Sequence, residues 1–117
     1  MSTLAGCGKA GHLDGSFYDA QFNFPQKIVQ ANVNGQEFVF VTELNDCIRV
    51  IDLQKREVST LCGGNAGKNG LKDGEGINSL FNFPYGILVR EGESKQEKKL
   101  IISESDNHSL REVRVGG

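Results

Sequence analysis

Three glycines near the beginning of the chain have a spacing that could serve nucleotide chemistry. Gly6, Gly8 and Gly11 form the pattern G-x-G-x-x-G, in which the backbone wraps around the pyrophosphate of a dinucleotide. That geometry needs a hydrophobic strand before the first glycine and a helix that begins at the last one. Only Ser2–Leu4 is available for the strand, and His12–Gly15 is a turn sequence that cannot begin a helix. We therefore predict no cofactor site.

Cysteine and histidine are too sparse and too scattered for a metal site. Cys7, Cys47 and Cys62 contain no C-x-x-C pair, and His12 and His108 are the two histidines of the chain. An odd number of cysteines also argues against a disulfide framework and favours a reducing compartment. We therefore predict no metal ligand, no catalytic residue and a cytoplasmic location.

Charge and hydropathy narrow the classes of partner. The formal net charge of -2 provides no basic field that would attract nucleic acid or anionic lipid. No apolar run approaches the roughly 18 residues that a membrane span needs. The sequence thus argues against nucleic-acid binding and against membrane insertion.

An internal duplication organises the chain. The pentapeptide STLAG at residues 2–6 recurs as STLCG at residues 59–63. The tetrapeptide FNFP occurs at residues 22–25 and again at residues 81–84. Similar segments that recur in the same order are the sequence signature of a repeat architecture. The chain is therefore predicted to consist of two copies of one structural unit.

The two repeats, residues 1–57 and 58–117, should contain four short antiparallel strands each. The first repeat begins with an outer strand at Ser2–Leu4, and Asn34-Gly35 predicts a type I′ turn of a β-hairpin. Phe38–Val41 is apolar without alternation, as expected for a strand buried on both faces. The remaining predicted strands lie at residues 27–29, 48–51, 57–61, 86–89, 100–102 and 110–115.

The second repeat resembles a known family. The segment Ser103–Arg111, SESDNHSLR, is similar to the signature of the NHL repeat, in which Asn-His forms the turn and a hydrophobic-Arg pair begins the next strand. The resemblance implies an all-β fold with two four-stranded antiparallel blades of an NHL-type β-propeller, as a partial ring or a fragment of a larger propeller. The first repeat departs from the pattern, because Thr42–Arg49 is one residue shorter and has Asp46 where the family has His.

The residues that match the family signature have structural roles in this interpretation. They are Glu43, Asn45, Arg49, Glu104, Asn107, His108, Leu110 and Arg111. The acid and the arginine flank the same turn in each repeat, so we expect an ion pair across each hairpin, contributing roughly 0.2–1 kcal/mol if exposed. Because the first repeat has lost the histidine, His108 is predicted to stabilise a turn and not to bind metal. The recurring aromatic residues, Phe22, Phe24, Phe81 and Phe83, are predicted to pack between blades.

The resemblance implies a rigid platform whose loops bind a partner. We predict a non-catalytic protein-interaction scaffold that belongs to a larger multi-blade protein. The residues predicted to contact the partner are Lys9, His12, Tyr18, Lys68, Lys72 and His108. Two alternatives stay open, a propeller hydrolase or lyase with a metal in the central channel and an RNA-binding NHL platform. The inner strands at residues 28–29 and 87–89 carry no metal ligand and the net charge is negative, which argues against both.

Two blades are too few for a closed propeller, which typically needs about 4–8 blades. An isolated pair of blades leaves one apolar face of each sheet in water, and such faces favour association. We therefore expect further blades of a longer protein to cover these faces. Self-association of several copies through the same faces is the alternative.

Overall fold

The structure, a computed structural model, describes residues 2–11, 13–43, 47–63, 84–92, 96–104 and 109–116. Within these ranges the chain is all-β, as predicted, and contains no helix. The strands are β1 (Gly15–Ser16), β2 (Pro25–Val33), β3 (Gln36–Glu43), β4 (Cys47–Asp52), β5 (Glu57–Gly63), β6 (Pro84–Glu91), β7 (Glu97–Glu104) and β8 (Ser109–Gly116). They form two antiparallel sheets, sheet 1 with the order β1-β5-β4-β3-β2 and sheet 2 with the order β6-β7-β8.

The predicted strands are confirmed with one exception, the outer strand at Ser2–Leu4, which is wrong. These residues form no strand, and the first bridge of this segment is the isolated pair Ala10 and Phe22. A strand needs a neighbouring strand to satisfy its backbone N–H and C=O groups. In the part of the chain that the structure describes, no strand lies beside Ser2–Leu4, and sheet 2 has three strands.

The hairpin between β2 and β3 turns as its sequence predicts. Asn34 and Gly35 both have positive φ angles, 55° and 88°, which is the geometry of a type I′ turn. The Asn32 side-chain oxygen accepts a hydrogen bond of 3.0 Å from the Gly35 N–H and closes the turn. The register of the whole hairpin is therefore fixed by local chemistry.

We expect the substitution Gly35→Ala to destabilise the chain by about 1–2 kcal/mol, because an L residue with a side chain pays for a left-handed backbone conformation. No neighbouring atom lies within 4 Å of the position that the added Cβ would take, so backbone strain is the whole effect. Urea unfolding measures it. The control is Gln54→Ala in the exposed β4–β5 turn, which should stay within about 0.5 kcal/mol of the parent. An equal effect of both substitutions would contradict the turn geometry.

The two sheets pack face to face around one apolar core. Its buried members are Ala31, Val33, Phe38, Phe40, Ile48, Val50 and Leu61 from sheet 1 and Leu100, Ile102, Val113 and Val115 from sheet 2. Phe40 and Ile102 are completely buried. Full burial of one such side chain contributes about 1.5–3 kcal/mol relative to leaving it in water. This core joins the two repeats into one packed body.

Along β3, β4 and β5, the other face of sheet 1 is covered by the segment that precedes β2, residues 5–11 and 13–23, which we call the connecting segment. Phe17 and Ala20 of this segment pack against Val39 and Val41 of β3. β3 is therefore buried on both faces, as its unbroken apolar run predicts. The connecting segment is part of the fold and not a loose linker.

The duplication in the sequence is also a duplication in hydrogen-bond register. Pro25 at the start of β2 pairs with Glu43, and Pro84 at the start of β6 pairs with Glu104. In both ladders the register shifts directly after this proline pair. Equivalent positions in the two sheets can therefore be read from the ladders.

Candidate functional site

Arg49 lies at the centre of a buried polar network on sheet 1. Its guanidinium contacts the Glu43 carboxylate at 2.9 Å, and the side chains of both residues are fully buried. A second carboxylate, Asp14 of the connecting segment, contacts the guanidinium at 2.8 Å and is 38% exposed. The sequence predicts that Glu43 and Arg49 form an ion pair, but it does not predict the burial of that pair. Burial changes its weight, because removing one partner of a buried pair leaves an uncompensated charge.

The same guanidinium anchors the backbone of the connecting segment. It donates hydrogen bonds to the carbonyl oxygens of Leu13 and Gln21, at 2.9 and 2.8 Å. Its central carbon lies 4.9 Å from the centre of the Phe22 ring, a cation-π arrangement. Arg49 therefore fixes the position of a segment that precedes it in sequence by about thirty residues, and its role is structural.

Glu43 and Asp14 each bind further groups of the fold. Glu43 accepts hydrogen bonds of 2.8 Å from the Asn23 backbone N–H and from the Cys47 thiol. Asp14 accepts a hydrogen bond of 3.0 Å from the Thr60 hydroxyl of β5. The sequence prediction does not include Asp14 as a partner of Arg49 and Thr60. The signal was present, because the dipeptide Asp14-Gly15 recurs as Asp73-Gly74 in the second repeat.

Of the signature residues of the second repeat, the structure describes Glu104, Leu110 and Arg111. Leu110 is 73% exposed at the start of β8, and Arg111 is half-buried. Glu104 is the last residue of β7, and its backbone pairs with Ser109. Asn45, Asn107 and His108 lie outside the described residues.

Of the residues predicted to contact a partner, the structure describes two. Lys9 is exposed in the connecting segment. Tyr18 is 76% exposed, and its hydroxyl lies 3.5 Å from the Arg56 guanidinium, beside the β4–β5 turn. His12, Lys68, Lys72 and His108 lie outside the described residues.

The glycine-rich part of the connecting segment forms one wall of an open cleft of about 590 Å³. Its lining residues are Thr3, Ala5, Gly6, Cys7, Gly8, Lys9, Ala10, Phe22, Phe24 and Pro25. Gly6 and Gly8 have φ angles of 106° and 89°, which side-chain-bearing residues rarely adopt. The glycines that resemble a nucleotide loop thus let the backbone bend around this cleft.

Two aromatic residues of the repeated FNFP motif line the cleft with different exposure. Phe22 is half-buried beneath Arg49. Phe24 is 65% exposed and has a φ angle of 51°, an unusual conformation for a bulky residue. Neither Phe22 nor Phe24 packs between the two sheets, so the predicted packing role is wrong for both: Phe22 packs under the connecting segment and Phe24 lies on the cleft wall. Phe81 and Phe83 lie outside the described residues.

The described residues contain neither a metal-binding cluster nor a membrane-spanning helix. They contain no group of three or more His, Cys, Asp and Glu side chains that could hold a metal ion. They also contain no helix of the length and apolar character needed to cross a membrane.

Comparison with known proteins identifies a distant relative and no family. No protein-family model matches the chain. Over 113 residues, 96% of this chain, the sequence is 30% identical to the protein SUPPRESSOR OF QUENCHING 1, chloroplastic, of Arabidopsis thaliana. The chain spans only 10% of the length of that protein. The similarity therefore relates this chain to one segment of a much longer protein.

Proposed function

We propose that the chain is a non-catalytic protein-interaction module built from two NHL-like propeller blades. Two sheets with the same register, packed face to face, are the arrangement expected of neighbouring blades. The titratable side chains with the deepest burial, Glu43 and Arg49, bind each other and the connecting segment. We infer that their chemistry serves the architecture of the module.

The proposal is supported above all by the backbone conformation and the exposure of Phe24. A non-glycine residue with a left-handed backbone costs about 1–3 kcal/mol, and such residues cluster at functional sites. Here the strained conformation turns an aromatic ring out into water, 65% exposed, at the wall of a cleft. An aromatic anchor for a protein partner explains both the strain and the exposure.

The chemistry of the cleft favours a peptide segment with one large apolar side chain. Phe22, Phe24 and Pro25 offer an apolar surface for that side chain. Lys9, at the rim, offers a positive charge to a carboxylate of the same segment. A cleft of about 590 Å³ lies within the usual size range of ligand sites, roughly 300–1,000 Å³.

The cellular context of the chain is also a proposal. The name of the Arabidopsis protein places that protein in the chloroplast and connects it with quenching. For this chain we propose a cytoplasmic location on the basis of its three cysteines, with an organelle as the alternative that the relative suggests. We propose only that this chain and the Arabidopsis protein share the interaction module.

Peptide display on the purified chain tests the cleft. We expect selected peptides to share an aromatic or aliphatic residue, and to bind the Phe24→Ala variant about tenfold or more weakly, because one buried aromatic contact is worth about 1.5–3 kcal/mol. Lys9→Ala should weaken the peptides that also carry an acid. The matched control is Tyr18→Ala, which removes another exposed aromatic ring outside the cleft. Binding that depends on Tyr18 and not on Phe24 would contradict the assignment.

A further inference from the structure

The outward face of sheet 2 is apolar at one end. Leu88, Ile101 and Leu110 share this face, because Ile87, Ile102 and Val113, an odd number of positions away in the same three strands, pack in the core between the sheets. Leu88 is 54% exposed and Leu110 is 73% exposed. Large apolar side chains grouped on one exposed sheet face mark a surface that binds another protein.

The internal interface of the molecule shows what such a face binds. By ladder position, the equivalents of Leu88, Ile101 and Leu110 in sheet 1 are Val29, Phe40 and Ile48. Those three side chains belong to the core between the sheets, where sheet 2 covers them. A sheet that relates to sheet 2 as sheet 2 relates to sheet 1 would therefore cover the outward face.

The other end of the outward face of sheet 2 differs from its counterpart, because it is charged. Arg90 and Lys99 both approach the Glu112 carboxylate, at 3.7 and 3.8 Å. The equivalent positions in sheet 1 are apolar, Ala31 and Phe38 for the two cations. The Arg90 side chain is 61% exposed, so this end of the face presents an accessible positive charge, and the covering sheet should present an anion there.

The exposed strip of sheet 1 has this complementary pattern. Ile28 is 68% exposed on the face of β2 that points away from the core, and its equivalent in sheet 2, Ile87, packs against the core between the sheets. Further along the same face lies Glu37, which accepts hydrogen bonds of 2.9 Å from Gln30 and Asn32. Both hydrogen bonds lower the pKa of Glu37, and the bond from Asn32 has the larger effect. They therefore favour the ionised carboxylate.

We propose that two copies of this chain associate head to tail, with the outward face of sheet 2 in one copy against the exposed strip of sheet 1 in the other. Leu88 and Leu110 then contact Ile28, and Arg90 faces Glu37. The second copy repeats the relation between the two sheets inside one chain. The interface is heterologous, so each copy keeps one free face and further copies can add.

Sedimentation of the purified chain tests the association. We expect the average mass to rise with chain concentration. Leu88→Lys and Ile28→Lys, one on each proposed face, should each weaken association about tenfold or more, because each removes a buried apolar contact and buries a charge. Gln54→Lys, at an exposed position of the β4–β5 turn outside the cleft, is the matched control. A chain that stays monomeric throughout overturns the proposal and leaves further blades of a longer protein, or another protein, as the occupant of this face.

A charge exchange separates head-to-tail pairing from contact between two like faces. Arg90→Glu and Glu37→Lys should each weaken association several-fold, because each puts like charges opposite one another. Mixing the two variants should restore it, since the acid at position 90 of one copy then meets the lysine at position 37 of the other. Failure of the mixture to recover overturns the head-to-tail arrangement. The cleft proposal is independent, because none of these substitutions lines the cleft and peptide binding should survive them.

Discussion

Replacing Arg49 by methionine is expected to lower the free energy of unfolding by about 3–5 kcal/mol, because the substitution leaves a buried carboxylate without its counter-ion. The side chain of Glu43 is fully buried, so it would lose its ion-pair partner without gaining contact with water. The carbonyl oxygens of Leu13 and Gln21 would lose their donor at the same time. Since small proteins have only about 5–15 kcal/mol of stability, this one substitution would remove a large part of it.

Urea unfolding of the two single variants, their double variant and a control makes the test specific to the network. The double variant Arg49→Met with Glu43→Met should lose less than the sum of its two single variants, by about 1–3 kcal/mol, because the two side chains interact directly. Lys55→Met, which replaces an exposed cation in the β4–β5 turn, should change the free energy of unfolding by less than about 0.5 kcal/mol. An additive double variant would show that the guanidinium and carboxylate are not coupled in solution.

Truncation of Phe40 to alanine is expected to destabilise the chain by about 3–5 kcal/mol, through lost burial and the cavity that remains. Phe40 is completely buried, and it lies in the core that joins the two sheets, 6.4 Å from the ring of Phe38. Hydrogen exchange should therefore speed up in both sheets, including at Val113 of β8, whose side chain belongs to the same core. Faster exchange in sheet 1 alone would contradict a single packed body.

The duplication supplies the matched control for this substitution. Ile101 occupies the ladder position of Phe40 in sheet 2, but it points to the outward face and is half-buried. Ile101→Ala should cost at most about 1 kcal/mol when measured at low chain concentration, where association is absent. Comparable losses at positions 40 and 101 would mean that the outward face of sheet 2 is already covered in the isolated chain.

The repeat pattern and the turn residues allowed much of the fold to be predicted. Asn34-Gly35 determines a type I′ turn because both residues tolerate positive φ, and no distant contact is needed for that. The unbroken apolar run Phe38–Val41 indicates burial on both faces for a similarly local reason. The pairing of Glu43 with Arg49 also follows from position, since both flank one turn between adjacent strands.

Other features depend on contacts between residues far apart in sequence. Ser2–Leu4 has the sequence of a strand but no strand beside it among the described residues, and a strand forms only with a partner. The cleft depends on how the connecting segment folds back on sheet 1, so no local pattern predicted that Phe24 would be exposed.

The seven strands β2 to β8, the turn of the first hairpin and the residues of the buried pair could be predicted from the sequence alone, because strand patterning and turn chemistry act over a few residues and the repeat shows each pattern twice. The depth at which that pair is buried, and the carboxylate that joins it, depend on the packing of segments that are distant in sequence. Asp14 reaches Arg49 across 35 positions of the chain, at 2.8 Å, once the connecting segment has packed on sheet 1. Burial is a property of the packed molecule, and it turns the predicted pair into the anchor of the fold.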